Sequence, residues 1–170
     1  MNKIKVKKIA LYALFTAVIT ACAWISVSTP FGVNLSFSLF GVCLAAFCLG
    51  VKGGIAATAT YILLGAAGLP VFSQFTCGIG VLFGASGGFI FGFLIVAILC
   101  GIAKNSKTKV TRYLLAVTAV LVCHALGVLQ FHFVTGNKIW ASFLYASLPF
   151  LLKDIFLVFL ASFVSKKIKF

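Results

Sequence analysis

Acidic residues are almost missing from this chain: 170 residues carry 14 Lys and Arg but one Asp or Glu, Asp154. That absence removes whole classes of chemistry. Two-carboxylate acid–base catalysis and carboxylate-rich cation cages both need more acids than the chain has. No glycine leads into Lys-Ser or Lys-Thr at Walker spacing, so there is no recognisable site for hydrolysing ATP. The cysteines, at 22, 43, 48, 77, 100 and 123, form no C-x-x-C pair, and five of the six lie in apolar runs. They read as small buried hydrophobes rather than metal ligands or a disulfide framework. His124 and His132 have no ligand-like neighbours, so no metal site is expected. Charged residues make up 9% of the chain, against about a quarter in soluble domains.

What is present is hydrophobic. The chain is 63% apolar, with 16 glycines and 3 prolines. Its long apolar runs approach the ~20 residues that cross a bilayer. We read an all-α integral membrane protein, a single domain over 1–170, with six transmembrane helices. The expected spans are about Ile9–Val27, Leu35–Leu49, Gly54–Ala67, Gly87–Ala103, Tyr113–Phe133 and Ala141–Val164. Pro30-Phe31-Gly32, a tight turn over Gly50–Gly54, the polar run Lys104–Arg112 and Thr135–Lys138 punctuate them. The basic start leads straight into the first span and reads as a signal anchor rather than a cleaved signal peptide.

The net charge of +13 forms no patch of the nucleic-acid-binding kind; the cations flank apolar runs. Six spans with both termini cytoplasmic put 12 of the 14 cations inside, leaving Lys138 outside and Lys153 within the membrane. The loops Pro30–Asn34, Gly68–Ser86 and Thr135–Lys138 then share the outer side with the outward half of the last span, which holds Lys153 and Asp154.

Gly68–Ser86 is too apolar for a solvated loop and too rich in glycine for a stable helix. Irregular backbone at membrane depth is tolerated only when buried in protein or lining a cavity. One reading is a lid over a small-molecule pocket, with Phe72 and Phe75 as walls and Ser73, Gln74, Thr76 and Ser86 as polar contacts. The other is a re-entrant packing loop. An acid at the centre of a bilayer helix costs about 2.5–3.5 kcal/mol on insertion scales, so Asp154 points to a buried site. Neighbouring helical residues diverge by about 100°, which allows two arrangements. Lys153 and Asp154 either reach one ligand from different angles, or Lys153 snorkels outward while Asp154 accepts hydrogen bonds from another helix. Ala13, Ala17 and Ala21 at four-residue spacing suit close helix approach, either inside the fold or against a partner. Gln130 and His132 could line a pocket near the outer end of the fifth span, whereas His124 lies deeper and suits a helix–helix hydrogen bond. Trp140 and Tyr145 read as interfacial anchors.

Several stretches resemble the BioY family. They are Val33-Asn-Leu-Ser-Phe-Ser-Leu-Phe40, Leu44–Gly50, Leu64–Phe72, Gly78–Phe93, Thr135-Gly136 and Pro149–Asp154. These cover nearly the whole chain in order. BioY proteins are the biotin-binding S components of energy-coupling-factor (ECF) vitamin transporters. The resemblance implies a six-helix S-component fold in a prokaryotic plasma membrane, capturing biotin from outside. It further implies docking on a transmembrane coupling protein driven by two ATPase subunits. No cofactor is then expected in this chain, since the partners use the ATP. It also implies substrate contacts by Asp154, Lys153, Gln74, Ser38, Phe72, Phe75, Ser86, Gly87 and Phe89, and a partner interface at Ala13 and Ala17. The chain departs from the family pattern at several positions: Ala85-Ser86 replace Pro-Thr, Phe89 a tyrosine, Ser38 a glutamine and Leu157 a lysine. Lys153 stands where glycine is usual, and it is expected to pair with the ligand's carboxylate. Another vitamin or a biotin precursor as ligand, a solitary facilitator, and a small membrane enzyme are the competing readings.

Overall fold

The computed structural model describes residues 3–29 and 33–168. The expected break at Pro30-Phe31-Gly32 and the terminal Lys169 lie outside the described residues. The first helix, α1 (Lys3–Trp24), is followed by a two-residue antiparallel ribbon, β1 (Ser26–Val27) with β2 (Leu35–Ser36). This ribbon departs from the all-α expectation. It also trims the first two expected spans, because Val27 pairs with Leu35 instead of extending either helix.

Helix α2 (Ser38–Ala66) is formally continuous but breaks at Gly50, whose backbone (φ 76°, ψ −173°) suits only a residue without a Cβ. A Cβ on Gly54 would sit 2.9 Å from the Cα of Ala46. Residues eight apart in one straight helix are about 12 Å apart, so α2 folds back on itself as two antiparallel arms. The expected turn over Gly50–Gly54 is thus compressed to one residue. Lys104 donates to the Cys48 carbonyl at the end of the first arm (2.6 Å), meeting an acceptor the break leaves without a helical donor.

After α2 the segment 67–86 contains a 3-10 turn (Ser73–Phe75) and one turn of helix, α3 (Ile79–Leu82). Helix α4 (Gly87–Lys104) starts where the sequence predicts and ends one residue later. Helix α5 (Lys109–Thr135) begins with Thr108 accepting from the backbone N–H of Thr111 (3.1 Å). It ends at Gly136 in the left-handed region (φ 69°). The sixth expected span is two helices, α6 (Ile139–Ala146) and α7 (Leu148–Ser165). Pro149 in the first turn of α7 cannot donate a helical hydrogen bond, and the chain breaks at Ser147.

Among the described residues, five helices are long and apolar enough to cross a membrane, and large hydrophobic side chains such as Leu63, Phe133 and Leu152 face outward. This is a multi-pass membrane protein. Its buried core forms where α2 packs on α1, α4 and α7, and α4 on α5. On α1, Phe15, Ile19 and Ala23 face this core, whereas Ala13, Ala17 and Ala21 are exposed, which removes the internal-packing reading of that stripe.

Candidate functional site

A cavity of about 590 Å³, measured to its open mouth, lies where the ribbon, the first turn of α2, the 67–86 segment and the start of α7 meet. Most of that volume belongs to the open mouth; the room inside for water-sized spheres is about 60 Å³. Of the residues expected at a site, Ser38, Phe72, Ser86, Phe89, Lys153 and Asp154 line it. Ser73, expected as a polar contact, lines it too; Asn34, Ser36, Tyr61 and Phe150 join them without having been singled out.

The walls are aromatic and locked. The Phe72 ring is buried against Tyr61 in an edge-on pair (5.4 Å between centroids) and fills a slot over Gly65. A Cβ on Gly65 would stand 2.1 Å from the Phe72 ring, so that slot exists only with glycine there. Phe89 packs over Gly127 and meets the His124 ring edge-on at 5.5 Å.

Three expected contacts do not line the cavity. Gln74 and Phe75 both adopt left-handed backbone (φ 58° and 57°), a conformation uncommon for residues other than glycine. That geometry turns them outward. The Gln74 side chain donates to the Ser26 carbonyl (2.8 Å), and Phe75 packs on Trp24 (5.1 Å). They tie the 67–86 segment to the ribbon and α1, as does Trp24 donating to the Pro70 carbonyl (2.8 Å). Gly87 is a packing position: a Cβ there would lie 1.7 Å from the Leu82 carbonyl oxygen. Gln130 and His132 are likewise occupied elsewhere. Gln130 donates to the carbonyls of Leu82 and Gly84 (2.8 Å each), fastening α3, and His132 bonds the Asn137 carbonyl.

At the charged end of the cavity Asp154 meets another helix, as in one of the two arrangements expected, but Lys153 turns inward instead of outward. Lys153 curls back so that Nζ lies 2.8 Å from Asp154 Oδ1, although the two are sequence neighbours. Its aligned hydrogen bond goes to the Ser36 carbonyl (2.5 Å). Asp154 Oδ1 therefore has a charge contact but no aligned hydrogen bond among the described residues. The other oxygen, Oδ2, lies 3.1 Å from His124 Nε2, and His124 Nδ1 lies 2.9 Å from Ser147 Oγ. Ser36 and Ser38 share a hydroxyl contact of 2.5 Å beside the pair. The site thus pairs a buried carboxylate oxygen with an ammonium, with neutral Asn and Ser groups and aromatic faces around them.

The BioY family model matches residues 1–170. A biotin transporter BioY of Thermotoga maritima is 38% identical over 158 residues, covering 92% of each chain. A probable biotin transporter BioY of Pyrococcus horikoshii is 37% identical over 152 residues, 89% of each chain. Among solved structures, the S-component for biotin from an ECF-type ABC transporter superposes with a TM-score of 0.89 over 98% of this chain and 93% of that one, at 22% identity. The fold is therefore that of an S component, and the chain belongs to the BioY family.

Proposed function

We propose that this chain is the substrate-capture subunit of a biotin importer. It crosses a prokaryotic plasma membrane six times as one domain, with both termini cytoplasmic; each arm of α2 counts as a crossing. It carries out no chemical conversion and holds no cofactor. Transport follows docking on an ECF coupling protein and its two ATPase subunits, with exposed Ala13 and Ala17 giving the partner a close approach. The 67–86 segment acts as the lid.

One observation carries the ligand reading: Lys153 Nζ and Asp154 Oδ1, 2.8 Å apart, both from residues lining an aromatic-walled cavity. A cyclic urea offers the complement, an N–H beside a C=O. The N–H donates to Oδ1 and the C=O accepts from Nζ. This reassigns Lys153 from the ligand's carboxylate to its ureido ring. A carboxylate brought to Lys153 would also come within about 4 Å of Asp154, and that repulsion, about 4 kcal/mol at an effective dielectric of 20, offsets most of what the ammonium would give it. Biotin's carboxylate then faces the mouth and the neutral groups of Asn34 and Ser73.

Equilibrium binding to the purified protein tests this with three ligands. Biotin and its neutral carboxamide should bind within about tenfold of each other, since the carboxylate meets only neutral groups there and a charged and a neutral hydrogen bond differ by about 1 kcal/mol. Iminobiotin, which turns an N–H donor toward Lys153 where biotin has its C=O acceptor, should bind at least about tenfold more weakly than either. No binding of biotin by folded protein overturns the ligand; a carboxamide that fails while iminobiotin binds overturns the orientation.

A further inference from the structure

His124 is buried (3% exposed), lies 30 residues from Asp154 in sequence, and takes no part in lining the cavity. It nevertheless links three elements. Its Nε2 meets Asp154 Oδ2 on α7, its Nδ1 meets Ser147 Oγ at the α6–α7 break, and its ring packs edge-on against the cavity wall Phe89.

The contacts fix how the ring works. An ionised carboxylate only accepts hydrogen bonds, so Nε2 carries a hydrogen and donates to Oδ2. The Ser147 hydroxyl can donate or accept, so it meets Nδ1 in either state and clamps the ring. One carboxylate oxygen is thereby committed, and rotation about the last bond of Asp154 would break that bond. The other oxygen, Oδ1, is buried against the Lys153 ammonium and, among the described residues, has no aligned donor.

From this geometry we infer that His124 is a positioning residue: it holds Oδ2 of Asp154 so that Oδ1 alone is presented to a ureido N–H of the ligand. Ser147 holds His124 in turn. The inference rests on the biotin reading and adds to it the group that gives Asp154 its discrimination. The relay makes His124 a determinant of specificity without contact to the ligand. The α6–α7 break, set by Pro149, brings a hydroxyl to the buried ring.

The test uses biotin and its two singly N-methylated ureido analogues, in equilibrium binding to wild type, His124→Leu, His124→Gln and Ser147→Ala. Wild type should bind one methylated isomer at least about tenfold more weakly than biotin, the size of a hydrogen bond to a charged group. His124→Leu should lower biotin affinity about tenfold and bring that ratio down at least about threefold, because the carboxylate is no longer aimed. His124→Gln, which can donate from a similar position, should keep the ratio. Ser147→Ala should lower it by about two- to threefold and serves if His124→Leu does not fold. A general packing defect would weaken biotin and its analogue alike and leave the ratio unchanged; that result in His124→Leu, or in Ser147→Ala, overturns the inference and spares the ligand reading. Wild type that binds no biotin overturns both.

Discussion

Replacing Lys153 by methionine strands a buried carboxylate, and the cost can be worked from the site. Lys153 and Asp154 have side chains 20% and 9% exposed and touch at 2.8 Å. At an effective dielectric of 20 their attraction is about 6 kcal/mol. Most of it is offset by the desolvation of the two charges, so the pair adds little net stability. Removing one partner is different, since it leaves the desolvation uncompensated and typically costs about 3–5 kcal/mol. Here the lower end applies, because His124 still meets Oδ2, although Oδ1 is itself buried. About 3 kcal/mol corresponds to roughly 6–12 °C in the unfolding midpoint of a protein this size. Lys153→Met combined with Asp154→Asn should recover most of that loss, because the uncompensated charge goes with it and Asn can still accept from His124. Thermal unfolding of the three proteins in one detergent, without ligand, reads this out. A single variant within about 2 °C of wild type, or a double variant no more stable than the single, refutes the claim that the two charges compensate each other.

Three further outcomes follow from the same geometry. Gly65→Ala should push Phe72 from its slot, costing about 1–3 kcal/mol as overpacking does, and Phe72→Leu in the same chain should relieve it, both seen in unfolding midpoints. Gln74→Ala should leave biotin affinity within about threefold of wild type while amide exchange in residues 68–86 speeds up, because Gln74 ties down the segment instead of lining the cavity. Ala17→Leu, on an exposed face of α1, should leave biotin binding unchanged but abolish copurification with the ECF coupling protein, since a leucine blocks the close approach of a second helix.

How much of the site can be read without coordinates depends on whether the signal is local. Asp154 is conspicuous because a bilayer helix holds an acid only at a cost, and no second acid competes for attention. The start of α4 is marked by its glycines and its end by Lys104. By contrast, Gln74 and Phe75 carry suitable side chains in the right segment yet point away. Their direction is set by two consecutive left-handed residues, which polarity and aromatic content do not reveal. Lys153 beside Asp154 looks geometrically unable to pair on a helix, but four methylenes of lysine reach back far enough. The role of His124 is hidden by sequence distance; the one available hint is that a lone intramembrane acid needs a donor and His124 is the deep histidine of the chain.

By itself, the sequence determined the membrane environment, the approximate positions of the helices and the importance of one carboxylate. Apolar runs, charge flanks and a single costly acid are properties of composition along the chain, independent of what packs against what. Tertiary structure alone decided that α2 folds back at one glycine and that the last expected span is broken at Ser147. It also decided that Ala13 and Ala17 face outward and that Asp154 divides its two oxygens between a histidine and a lysine. Those outcomes depend on contacts between residues far apart in sequence, where packing volume and hydrogen-bond satisfaction, rather than local pattern, select the arrangement.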